Sequence, residues 1–132
     1  MNFNGYGSGS SGGILFATNG LKIRWNYGAW FTEGLSDYLS QSQLSNGVWY
    51  HVIFQRDGNN LKTYLNGSQL GSTTATTVSN IPTTGSIYLS RSPENNYFYK
   101  GALDEVIIEN VAWSAEKIKK YYTASRGRFG II

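Results

Sequence analysis

The chain of 132 residues has no cysteine, two prolines and a single histidine, and only 14% of its side chains are charged. Each scarcity excludes a class of chemistry. Without cysteine there is no disulfide framework, no thiolate metal site and no thiol nucleophile. One histidine, His51, cannot build a multi-histidine zinc site. No apolar run is long enough to cross a bilayer, and the start, Met1-Asn2-Phe3-Asn4-Gly5, shows neither the charged end nor the apolar core of a secretory signal. Membrane insertion is therefore not expected.

What is abundant is aromatic: ten Tyr, six Phe and four Trp. Flat and β-branched side chains fit a pleated surface, so the composition favours a β protein over a helical bundle, and the length allows one domain. The net charge of +3 is too small to imply a nucleic-acid partner. Its distribution is uneven. Lys117, Lys119, Lys120, Arg126 and Arg128 all follow Glu116, and no acid comes after that residue. Two readings stand: the solvated face of a terminal helix, or a tail that docks a partner.

Residues 4–13 hold five glycines and three serines, the composition of a flexible arm. Residues 14–17 then read as a strand, Asn19-Gly20 as a turn and residues 21–25 as the returning strand. A short strand near 29–32 follows, and residues 35–44 show no clear period. From Gly47 the β signal strengthens. Strands are expected at 48–55, at 61–65, along the Thr-rich edge at 72–79, at 86–90 and at 102–109, with turns at Asp57-Gly58 and Asn66-Gly67 and a polar loop at 91–97. Ser114 is placed to cap a helix running to about Thr123, with Glu116 at its positive end and Gly127 stopping it. Residues 128–132 are apolar enough to pack against something.

The ordered motifs Trp49-Tyr50-His51-Val52, Asp57-Gly58, Tyr64-Leu65-Asn66-Gly67, Gly101-Ala102-Leu103-Asp104-Glu105-Val106 and Ser114-Ala115-Glu116-Lys117-Ile118 resemble the back half of a laminin-G-like domain. The resemblance extends to the pentraxins and implies the concanavalin A-like lectin and glucanase superfamily. The resemblance implies an all-β fold, an antiparallel two-sheet jelly-roll sandwich with one short C-terminal helix. The expected organisation is an arm at 1–13, the sandwich at 14–125 and a tail at 126–132. It also implies binding rather than catalysis.

Site residues are weighed against plainer roles. Trp49 and His51 share a strand face, which makes His51 a framework residue rather than a base. Asn66 and Gly67 read as a turn, and Gly101 as a structural glycine that matches one in the family. Asp104 shares a face with Val106 and Ile108, and a carboxylate there calls for a hydrogen-bonded tie to a neighbouring loop. The superfamily's β-glucan hydrolases carry paired glutamates, and retaining hydrolysis needs its two carboxyls about 5 Å apart. Glu105 and Glu109 lie four strand residues apart, roughly 13 Å, so no enzyme is expected.

No cofactor is expected beyond one candidate, calcium at Glu94, Asn95 and Asn96, the loop that matches the acidic calcium loop of pentraxins. A single carboxylate there falls short of the several that tight calcium sites collect. For a ligand, Tyr27, Trp30 and Tyr97 with Asn95 and Asn96 offer rings for a sugar's C–H face and amides for its hydroxyls, although the same rings could fill the sandwich or a subunit contact. The expected function is a non-catalytic, lectin-like adhesion module for a glycan or protein surface. The alternative is a structural virion subunit, a capsid decoration or a tail or fibre component, assembling as a homo-oligomer or larger array through the arm and tail. The chain accordingly reads as a virion component or as a domain excised from a surface or extracellular protein.

Overall fold

The computed structural model describes residues 13–19, 22–28, 45, 47–75, 89 and 99–130, the first two segments as backbone alone. Among the described residues the strands form a two-stranded and a three-stranded antiparallel sheet. β1 (Gly13–Asn19) pairs with β2 (Lys22–Gly28), from Gly13 opposite Gly28 to Asn19 opposite Lys22. The expected hairpin forms, but its register leaves positions 20 and 21, not 19 and 20, to join the strands. The rest of the glycine-rich arm, the strand near 29–32 and the polar loop at 91–97 lie outside the described residues. So does the strand at 86–90, apart from an exposed Leu89.

β3 (Val52–Asp57), β4 (Asn60–Leu65) and β5 (Ser68–Ala75) form the second sheet in sequence order. β3 starts later than its run of β-formers, and β5 earlier than its threonines. Glycines set the turns. Gly58 has φ 60° between β3 and β4, and Asn66 and Gly67 have φ 49° and 79° between β4 and β5. Positive φ at both central residues is the hairpin geometry that favours Asn-Gly. The β4–β5 ladder slips between Leu61 and Thr63, whose partners are Thr74 and Leu70. Gly71, at φ 68°, lies inside that slip, where the Gln69 amide donates to its carbonyl at 3.3 Å.

Successive residues of a strand face opposite ways, so the pair Thr63 and Tyr64 probes both sides of β4. They are 0% and 3% exposed. Both faces of this central strand are therefore covered. On the Tyr64 side the cover is α1 (Ala115–Ser125). Ser114 caps it, its hydroxyl accepting from the Lys117 amide at 3.1 Å, and Glu116 stands in the first turn. The inward side presents Ile118, fully buried, with Tyr121, Tyr122 and Ser125 half-buried. Gly127 does not stop the helix. The chain tightens into a 3-10 turn (Arg126–Phe129) that ends at Gly130, φ 65°.

The segment 102–109 departs most from its sequence pattern. Among the described residues it joins no strand, and Glu105 takes φ 49°, a left-handed conformation that breaks an extended run. Leu103, Val106, Ile107, Ile108 and Val111 are exposed. Alternation of faces therefore does not organise this segment.

A methyl group at Gly67 would lie 2.7 Å from Cδ1 of the Tyr122 ring, at a φ that side chains avoid. Gly67→Ala is expected to destabilise the fold by about 2 kcal/mol, the sum of left-handed strain and overpacking, measured by urea denaturation. Asn66→Gly, at the neighbouring turn position, is expected to cost less, because it keeps the conformation and loses only a side-chain bond.

Candidate functional site

Most of the described residues that the sequence singled out converge where α1 crosses the turn of β4 and β5. His51, one residue ahead of β3, exchanges two bonds with Asn66. Its carbonyl accepts from the Asn66 amide at 2.8 Å, and its own amide donates to Asn66 Oδ1 at 3.0 Å. The turn side chain thus extends the β3–β4 ladder by one pair. The His51 ring then lies against both helix tyrosines, with centroids 5.7 Å from Tyr121 and 5.8 Å from Tyr122.

Among the described residues the buried Nδ1 of His51 has no hydrogen-bond partner. Burial pulls the imidazole below its ordinary pKa, against the opposing pull of the Glu105 carboxylate. Glu105 itself is held from three directions. Asp104 Oδ1 accepts from the Glu105 amide at 2.7 Å, the Tyr121 hydroxyl donates to Oε2 at 3.1 Å, and the Arg128 guanidinium pairs with Oε1. Burial first and Glu105 second push the Tyr121 phenol up, while Arg128 works against them. Asp104 is exposed, and among the described residues its carboxylate accepts from the amide of its own neighbour.

A second knot joins β3 to the chain entering α1. The Gln55 side chain donates to the Trp113 carbonyl at 3.1 Å and accepts from the Trp113 amide at 3.0 Å, an imitation of strand pairing. The indole packs edge-on to Tyr121 at 5.3 Å and donates to Glu109, while Lys117 sits 3.8 Å above the ring and 3.9 Å from Glu109. Beyond the helix, Phe129 packs on Trp49 at 5.1 Å, with Arg128 over its ring.

Trp49, His51, Asn66, Gly67 and, through Glu105, Asp104 therefore belong to one neighbourhood. Gly101 lies apart, where a methyl group would meet the Tyr99 ring at 2.7 Å. Of the ligand candidates only the backbone of Tyr27 is described, in β2 opposite Ile14. Trp30, Asn95, Asn96 and Tyr97, and the calcium candidate Glu94, lie outside the described residues. Among the described residues no three His, Asp or Glu side chains gather as a metal site, and no helix is long and apolar enough to cross a membrane.

Sequence reasoning did not single out Gln55 or Trp113. The signal for Gln55 was a polar residue inside a run of β-formers. That for Trp113 was a large apolar residue directly before a helix cap.

The depressed pKa of His51 fixes the sign of a pH effect. The folded chain favours the neutral ring, so below about pH 6.5 the unfolded chain binds a proton that the folded chain resists. Stability in urea is expected to be level above about pH 7 and to fall toward about pH 5, and His51→Gln should remove that component of the slope. A wild-type slope unchanged in the variant would contradict this.

A family model described as the concanavalin A-like lectin/glucanases superfamily matches residues 2–119. Among curated proteins none matches the chain significantly. A crystal structure of an S-layer domain-containing protein from Clostridium thermocellum is similar at a TM-score of 0.52 and 25% sequence identity. The match covers 89% of this chain but 59% of that one, so the chain spans little more than half of the solved relative. The family match takes in the strands, the Asn66-Gly67 turn and the first half of α1. The chain belongs to the concanavalin A-like lectin/glucanase superfamily.

Proposed function

We propose that the chain is a non-catalytic binding module, lectin-like, that recognises a glycan or another surface ligand. The observation that carries the reading is the family match over nearly the whole chain. Cover on both faces of β4 supports closure into a two-sheet jelly roll, with the second layer on the Thr63 side. The carboxylates of the described site also favour binding over hydrolysis. Glu105 holds Tyr121 and Arg128, Glu109 holds Trp113 and Lys117, and Asp104 holds a backbone amide. Acids tied to fixed donors make poor proton shuttles. The similar solved chain, from an S-layer domain-containing protein, is consistent with a module that works at a surface.

The ligand platform in this reading is Tyr27, Trp30 and Tyr97 with Asn95 and Asn96, and calcium, where present, is held by Glu94, Asn95 and Asn96. Glycan-array binding is expected to weaken about tenfold, equivalent to about 1.4 kcal/mol, in Trp30→Ala or Tyr97→Ala, with no reducing ends released from β-glucan. Absence of binding to every glycan, or steady release of reducing ends, would overturn the reading.

One observation favours a second reading, a structural subunit of a viral particle. The apolar residues Leu103, Val106, Ile107, Ile108 and Val111 are all exposed within nine positions, and large exposed apolar patches mark protein contacts. Under that reading sedimentation shows a stable oligomer or larger assembly, and removal of residues 127–132 reduces it to single chains. A monomer at all concentrations, or assembly indifferent to the truncation, would dismiss it.

A further inference from the structure

The positive charge of this protein is concentrated in one place. From Ser114 to Gly130 there are five cations and one acid, whereas the rest of the chain has six cations against seven acids. The net charge therefore arises in the C-terminal helical unit. Two of the five cations are used locally, Lys117 over Trp113 and beside Glu109, and Arg128 on Glu105. The remaining three are Lys119, Lys120 and Arg126.

Helical spacing puts these three together. Glu116, Lys119, Lys120, Thr123 and Arg126 follow the i, i+3, i+4, i+7, i+10 pattern of one face, and all five are exposed. The opposite face, Ile118, Tyr121, Tyr122 and Ser125, is the one that packs. From Lys119 to Arg126 the face rises about 10 Å. Among the described residues no carboxylate pairs with any of the three, not even Glu116, four residues ahead of Lys120. Thr123 turns its hydroxyl back to the Lys119 carbonyl at 2.9 Å and adds no charge.

Internal needs do not account for this face. Complementing the helix dipole explains Arg126 at the C-terminal end, but not Lys119 and Lys120 in mid-helix. Solubility is served equally well by mixed charges. Three cations that no described carboxylate compensates, on a capped helix and its C-terminal end, instead form a pre-ordered row of donors for repeated anionic groups.

We infer that the outward face of α1, continued by its C-cap Arg126, is a docking surface for an anionic polysaccharide, with Lys119, Lys120 and Arg126 each meeting a carboxylate or sulfate on successive sugar units. This rests on the reading of the chain as a binding module and names the chemistry of its ligand. The row spans the length of a short oligosaccharide. The small net charge of the whole chain and the lectin/glucanase family match favour a glycan over a nucleic acid.

The test uses the full chain and immobilised dextran sulfate, polygalacturonate, neutral dextran and a single-stranded oligonucleotide. Both anionic polysaccharides are expected to bind at low salt, to lose at least about tenfold in affinity at about 0.3 M NaCl, and to lose about tenfold or more in the triple variant Lys119→Ser, Lys120→Ser, Arg126→Ser. Lys100→Ser, an exposed lysine elsewhere, is expected to change nothing, and a circular dichroism spectrum unchanged in the triple variant keeps a folding defect from imitating the result.

Binding that the triple variant leaves intact, or equal binding to neutral dextran, would overturn the inference. Preference for the oligonucleotide would overturn it in favour of a nucleic acid. Retained binding of neutral glycans without any anionic preference would remove this inference alone, whereas failure of every glycan to bind would remove the underlying function as well.

Discussion

A helix can lie close across a sheet only where the sheet leaves it room, and here the room is the bare α-carbon of Gly67. The Tyr122 ring occupies the space a side chain would have filled. That contact sets how near α1 comes to the β4–β5 turn, and so where Tyr121, the His51 ring and Ile118 find one another. Asn66 makes the same turn serve β3 as well, through the two bonds it exchanges with His51. One Asn-Gly pair thus supplies a hairpin, an extra rung of the ladder and a seat for the helix.

What the sequence made legible is local. The Asn66-Gly67 turn, the Ser114 cap with Glu116 behind it and the three-stranded meander all rest on residues within a few positions of one another, where backbone preference and side-chain reach decide. Motif order further down the chain reached the superfamily. The less legible features join distant segments. Gln55 and Trp113 are 58 residues apart, and no periodicity links an amide in one strand to a backbone unit ahead of a helix. Residues 102–109 read as a strand because they are rich in β-formers, yet Glu105 leaves the extended region, with Asp104 gripping its amide. Gly127 looked like a stop because glycine often ends helices. Here the chain tightened instead and used the next glycine, Gly130. The candidate ligand residues were legible as a composition of rings and amides, but composition carries no positions, and all but Tyr27 lie outside the described residues.

The polar groups of the site divide into two kinds. Those between the sheet and the inner side of α1 are largely committed: Glu105, Glu109, Asp104, Gln55 and Asn66 each accept from a fixed donor, with the buried His51 Nδ1 the exception. Those on the outer side of α1 are not. Such a division suits a scaffold whose interior is braced while its exterior remains available, and it separates residues whose replacement loosens the fold from residues whose replacement alters recognition.

The contacts that cover the Tyr64 side of the sheet reach from residues 49–67 to residues 113–129, so the order of synthesis matters. While the chain is being made, the three-stranded meander emerges well before the helix that roofs it, and the face bearing His51 and Tyr64 stays wet until residues 113–129 have left the ribosome. Long-range closure of this kind slows folding and leaves apolar surface open to wrong partners in the interval. The nascent protein therefore passes through a stage in which its half-finished sheet needs shielding, and the arrival of Gln55's partner at Trp113 marks the end of that stage.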